Sequence, residues 1–132
     1  MKPLITFLGG LILFLGSVKA TPGVGEGDVV DEIIALFEKM DANGLEPLLN
    51  SSVELEIGES VGIFSKSQSL QIITKFFNEH EGAEFKVNHK GSSSGGARYV
   101  VGKYILDKEE LRVNVYVKKV GSTYLIQEIT IE

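Results

Sequence analysis

Cysteine and tryptophan are absent from the 132 residues. Without cysteine there is no disulfide framework, no thiolate nucleophile, no Cys-ligated metal and no lipid attachment at a cysteine. Basic charge is scarce, with 13 Lys+Arg against 18 Asp+Glu. Lys2 and Lys19 belong to an apparent leader, and 13 less those two leaves 11 against 18, a formal charge of −7. A domain that acidic has no electrostatic footprint for phosphate backbones or anionic lipid, so neither nucleic acid nor a membrane surface is an expected partner. Histidine is limited to His80 and His89. Neither sits in an H-x-x-x-H or carboxylate spacing that would complete a ligand set, so no metal and no cofactor are expected. After residue 20 no segment approaches the roughly 18 apolar residues of a membrane-crossing helix.

What is present starts with an address. Met1-Lys2-Pro3 is a short basic start, Leu4 to Gly16 is an uncharged, mostly apolar run of 13 residues, and Val18-Lys19-Ala20 precedes a plausible cut. That is the three-part pattern of a secretory signal peptide. At 1.5 Å per residue the run is too short to span a ~30 Å hydrocarbon core as a helix. The sequence therefore predicts a signal peptide over 1–20, a periplasmic or secreted protein, and no membrane insertion after cleavage. Thr21 to Gly27, with three Gly and a Pro, reads as a flexible tether. Residues 28–132 remain for a single domain.

Within that domain the hydrophobic period changes twice. Val29, Ile33, Leu36, Phe37 and Met40 recur at helical spacing, predicting a helix from about Asp28 that Asn43-Gly44 ends. A short helical turn through Leu45–Leu49 follows. Val53, Leu55 and Ile57 then alternate with Glu54 and Glu56, a strand with one wet face that Gly58-Glu59-Ser60 turns back into a partner over 61–64. Ser65-Lys-Ser-Gln68 matches a capping box and opens a third helix with Leu70, Ile73, Phe76 and Phe77 on its apolar face. Four strands follow over 84–90, 97–106, 110–118 and 123–131, separated by short, turn-rich breaks, so neighbours in sequence should be neighbours in the sheet. Gly91-Ser-Ser-Ser-Gly-Gly96 lies between two strands without a following Lys or helix, and reads as a hairpin loop rather than a phosphate cradle. The fold class is α+β: N-terminal helices and a short hairpin, a third helix, then a four-stranded antiparallel meander packed on the helices.

This order resembles the cone of the nuclear-transport-factor-2-like (cystatin-like) superfamily. Phe64-Ser-Lys-Ser-Gln68, Phe76-Phe77, Phe85-Lys-Val-Asn-His-Lys-Gly91, Leu111-Arg-Val-Asn-Val115 and Tyr124-Leu-Ile-Gln-Glu-Ile129 are together similar to one family in it. Those relatives are secreted bacterial proteins of unknown function. The resemblance spans essentially the whole chain and implies fold and address, but no catalytic residues. Superfamily members include isomerases, dehydratases, hydrolases and binding domains, so the fold does not choose among them.

Alternation on 84–90 groups Phe85, Val87 and His89 on one face. If the apolar set faces the helices, His89 lies at the cavity side and could act as a general base. Its partners would come from Tyr99, Tyr104 or Glu56, none of which sequence spacing brings to it, and the bland reading is a satisfied, partly buried histidine. Phe76, Phe77, Phe85 and His89 are the candidate lining of a ligand cavity. Val113, Val115, Val117, Leu125, Ile129 and Ile131 are expected to face in. Tyr104, Arg112, Asn114, Tyr116, Tyr124 and Ile126 are expected to face out, and five of them, Tyr104, Arg112, Tyr116, Tyr124 and Ile126, have the composition of an association surface that could pair two copies. Two function classes follow. One is an exported non-enzymatic domain that holds a small apolar ligand in the cone or meets a protein partner. The other is a small isomerase, dehydratase or hydrolase using His89. Without a recognisable dyad the first is the preferred reading.

Overall fold

The computed structural model describes residues 26–132. The expected signal peptide and residues 21–25 of the expected tether lie outside the described residues. Helix α1 spans Glu26–Lys39, beginning slightly before Asp28. It also stops before the expected Asn43-Gly44. Met40 takes φ 54°, the Met40 N–H donates to the Phe37 carbonyl at 3.2 Å, and the Asp41 N–H donates to that of Leu36 at 2.9 Å. Those bonds close the helix with a left-handed residue that is not glycine. Asp41 then caps α2, Ala42–Leu45, accepting the Gly44 N–H at 2.9 Å. Gly44 is therefore inside α2, and what it supplies is room: a Cβ there would collide with the Leu36 side chain.

A 3-10 turn over Glu46–Leu48 leads into β1, Leu49–Ile57, and β2, Ser60–Ser65. Helix α3, Lys66–Glu79, opens on the capping box read in the sequence. The Ser65 hydroxyl accepts the Gln68 N–H and the Gln68 side chain accepts the Ser65 N–H, both at 3.2 Å. The meander follows as β3 (Glu84–Ser92), β4 (Arg98–Leu106), β5 (Glu109–Val120) and β6 (Thr123–Ile131). The N-terminal hairpin does not stand apart from it. β1 runs parallel to β6, pairing Leu55 with Ile129 and Ile57 with Ile131, which makes one six-stranded sheet of order β2-β1-β6-β5-β4-β3. The join aligns the apolar rows of both strands on one face, so each extends the other's buried surface. The helices cover that face, giving the expected α+β cone.

Two irregularities in pairing decide which side chains share a face. Between β3 and β4, Val87 pairs with Gly102 but His89 pairs with Val101, leaving Asn88 as an extra residue. Between β5 and β6, Tyr116 pairs with Glu128 but Val117 pairs with Ile126, leaving Gln127 as the extra residue. Each bulge reverses the in–out alternation of its strand from that point on.

Candidate functional site

The helix side of the sheet is closed by rings. Phe37 of α1, Phe76 and Phe77 of α3, Phe85 of β3 and Tyr104 of β4 are all buried. Tyr104 lies among the other four, with centroid separations of 6.3, 5.8, 6.2 and 5.0 Å in that order. Gly102 gives the Phe85 ring its place, since a Cβ there would come within 3.0 Å of that ring. The Tyr104 hydroxyl donates to the Phe37 carbonyl at 2.6 Å, a second donor to the acceptor at the end of α1 that already takes the Met40 N–H. Burial pushes the phenol far above its ordinary value of 10.0, because the anion would lose its water without gaining a counter-charge. The space foreseen for a ligand among Phe76, Phe77 and Phe85 is filled by their own packing.

Tyr104 was expected on the outer face and is not there. Its partners in register are Phe85 and Leu111, and all three lie on the helix side. Ile126 is likewise fully buried, because the Gln127 bulge sets it beside inward-facing Val117. Tyr124, two residues earlier, shares that side, packs against the core and meets the Arg98 guanidinium at 3.4 Å. Leu125, expected inside, falls on the outer face by the same reversal. Of the expected outer set, Arg112, Asn114 and Tyr116 are on that face.

His89 is also reversed. The Asn88 bulge carries it to the outer face, where it is exposed. Lys90, now on the helix side, pairs with Asp31 of α1 at 2.9 Å. Of the three proposed partners, the structure brings one to His89: the Tyr99 hydroxyl lies 2.9 Å from Nε2. Tyr104 is on the opposite face. Glu56 is four strands away in the row Glu56, Thr130, Asn114, Val101, His89, about 19 Å at the usual strand spacing. Among the described residues no group of three or more His, Cys, Asp or Glu could hold a metal ion, and no helix is long and apolar enough to cross a membrane.

The outer face has its own organisation. Val61 and Ile63 of the edge strand β2 stand opposite Glu56 and Glu54 and are 66% and 75% exposed. Alternation marked them as strand residues, but nothing local marked their face as uncovered. A shallow depression of about 270 Å³ runs between Tyr99, Val101, Asn114, Tyr116, Glu128 and Thr130. The β1–β6 half carries Glu54, Glu56 and Glu128 and no basic residue. The β3–β5 half carries Lys86, Lys103, Arg112 and Lys118 against Glu84 and Glu110, with Lys103 and Glu110 already paired at 3.4 Å.

Comparison with known proteins agrees with this architecture. A DUF4783 family protein from Bacteroides uniformis is 27% identical, with 79% of this chain and 95% of that chain covered and a TM-score of 0.72. One from Bacteroides ovatus is 26% identical over 76% and 90%, with a TM-score of 0.69. An uncharacterized cystatin fold protein from Novosphingobium aromaticivorans shares the fold at 10% identity, covering 80% and 95%, with a TM-score of 0.61. No curated protein matches the chain. The family model described as Domain of unknown function (DUF4783) matches residues 30–132. With that model matching most of the chain and family members sharing the same fold, this chain belongs to the DUF4783 family.

Proposed function

We propose that this protein is an exported, non-enzymatic interaction domain whose contact surface is the outer face of the sheet, covered by a second copy of the chain. The observation that carries the reading is the division of charge on that face, with acidic β1–β6 on one side, predominantly basic β3–β5 on the other, and Tyr99, Val101 and Tyr116 on the two strands of the basic half nearest the seam. A closed pair requires a self-complementary patch. A two-fold axis lying in the interface and running along the central strands sets each copy's acidic half against the other's basic half. Tyr99, Tyr116 and Arg112 on β4 and β5, beside that seam, suit an interface core. The other form of a binding role, an apolar ligand inside the cone, is disfavoured by the five rings packed there.

Sedimentation velocity of residues 21–132 tests the reading, with a dimer expected that weakens as salt screens the facing charges. Tyr116→Glu should give a monomer whose melting midpoint matches that of the wild type diluted to a monomer, since the side chain is 37% exposed and would be desolvated as an unpaired charge only in the dimer. A monomeric wild type overturns the self-association. Recovery from its exporting host of a chain that begins at Thr21 supports the address, and one that keeps residues 1–20 removes it. Acid–base chemistry by His89 has one observation in its favour, the bond to Tyr99. His89 is exposed and Tyr99 lines only the shallow depression, so no enclosed pocket holds a substrate against the two groups.

A further inference from the structure

The open end of the cone, on the helix side and away from the outer face, holds a groove of about 550 Å³. It lies between the second half of α3, the β1–β2 turn and the ends of β5 and β6. Its floor is Ile57, Phe76 and Ile131, with Ile72 and Leu111, both half-buried, as apolar walls still open to solvent. The volume lies within the range that small-molecule sites occupy. The rim is polar and of one dominant sign: Glu59, Glu79, Glu109 and Glu132 against Lys75. Lys75 is engaged with Glu79 at 3.2 Å. Among the described residues no ion pair engages the other three carboxylates.

His80 is the remaining rim group, and its orientation is set. Its ring stacks on Phe76 with centroids 4.1 Å apart, and Nδ1 lies 2.8 Å from the Phe76 carbonyl. A carbonyl only accepts, so Nδ1 carries the proton, and whenever the ring is neutral Nε2 is left as an acceptor facing the rim. An apolar floor beneath a rim of acceptors and unpaired negative charge is complementary to a ligand with an apolar body and a hydrogen-bond-donating cationic head. We infer that this groove is a binding site for small amphipathic amines. An ammonium group would reach the rim carboxylates and His80 Nε2 while its carbon chain covers Ile72 and Leu111. A fatty acid of the same length would bring its carboxylate against three others and should be rejected.

The inference does not depend on the outer-face pairing, because the groove is on the other side of the sheet. Its test is calorimetric titration of residues 21–132 with hexylamine, hexanol and hexanoate, read alongside methyl NMR shifts at Ile72 and Leu111. Saturable binding of hexylamine that moves both methyl signals, with hexanoate at least tenfold weaker, is the expected result. The double variant Glu59→Gln, Glu109→Gln alters two exposed side chains and should weaken hexylamine at least tenfold while leaving hexanol unchanged. Three outcomes overturn the site: no saturable amine binding, equal affinity for amine and carboxylate, or binding that the double variant does not weaken.

Discussion

Tyr99 and Tyr104 stand on the same strand, five residues apart, and share almost nothing else. An odd separation puts them on opposite faces. Tyr104 is enclosed by four other rings and gives its hydroxyl to a helix-end carbonyl. Tyr99 is half-buried on the outer face, with its hydroxyl bonded to exposed His89. The same residue type is thus spent on folding in one place and left facing solvent in the other. This chain has used large aromatic side chains to close the interior of its cone. The polar and apolar groups still able to meet another molecule lie on the outer face and at the groove mouth.

Removing each ring separates the two roles most widely. Tyr104→Ala should destabilise the domain by about 3–5 kcal/mol, the usual result of deleting a buried aromatic side chain. Tyr99→Ala should change stability by no more than about 1 kcal/mol, since little packing is lost at a half-exposed site. Urea unfolding of both variants measures the contrast. Equal losses would mean that Tyr99 is as much a core residue as Tyr104.

Removing only the hydroxyl sharpens the same comparison. Tyr104→Phe should cost about 1 kcal/mol at neutral pH, the net worth of one hydrogen bond. It should also change the alkaline limb. The folded state holds the Tyr104 phenol neutral well above 10.0, whereas in the unfolded chain it ionises near its ordinary value. Above about pH 10 the unfolded state therefore binds fewer protons at this site, and stability falls by up to ~1.4 kcal/mol per pH unit as pH rises toward the folded value. Below that point the contribution is complete. Stability of wild type relative to Tyr104→Phe, followed from pH 8 to 11, should narrow and then reverse. A constant difference would mean that the phenol ionises in the folded state as it does in water.

The element order, the capping box and the meander were legible because each is written in local residue spacing. The apolar rows of Leu55 and Ile57, and of Ile129 and Ile131, also announced a buried face. Which candidates shared a face was not legible, for a local reason. Asn88 and Gln127 are each one extra residue in a ladder; Asn88 looks like any other outward position in an alternating strand, and Gln127 shows only as one polar residue in the otherwise apolar row of Leu125, Ile129 and Ile131. Simple alternation carried past Asn88 sends His89 inward, and carried past Gln127 it sends Ile126 outward. Tyr104 lies on a strand without a bulge, where its register against Phe85 and Leu111 decides its face. The i, i+4 spacing of Phe76 and His80 did carry a signal, since such pairs meet on a helix, but the stack becomes a rim group only once the β1–β2 turn closes beside it.

The smallest expected effect concerns what the Asn88 bulge accomplishes. Beyond it Lys90 reaches Asp31 at 2.9 Å, which at first sight makes the ion pair the reason for the bulge. Both side chains are more than half exposed, however, and pairs of that kind contribute little once solvent and salt screen them. Lys90→Ala should therefore shift the urea midpoint by the equivalent of less than about 0.5 kcal/mol. The contact between the His89 and Tyr99 rings, visible as a cross-peak in NMR spectra, should persist. On that outcome the bulge is held by the ladder on either side of it, from Phe85↔Tyr104 to Gly91↔Tyr99, and the ion pair is a consequence of where it points Lys90. A larger loss accompanied by disappearance of the His89–Tyr99 contact would reverse the order of cause: a surface ion pair to α1 would then be what turns His89 to the outer face.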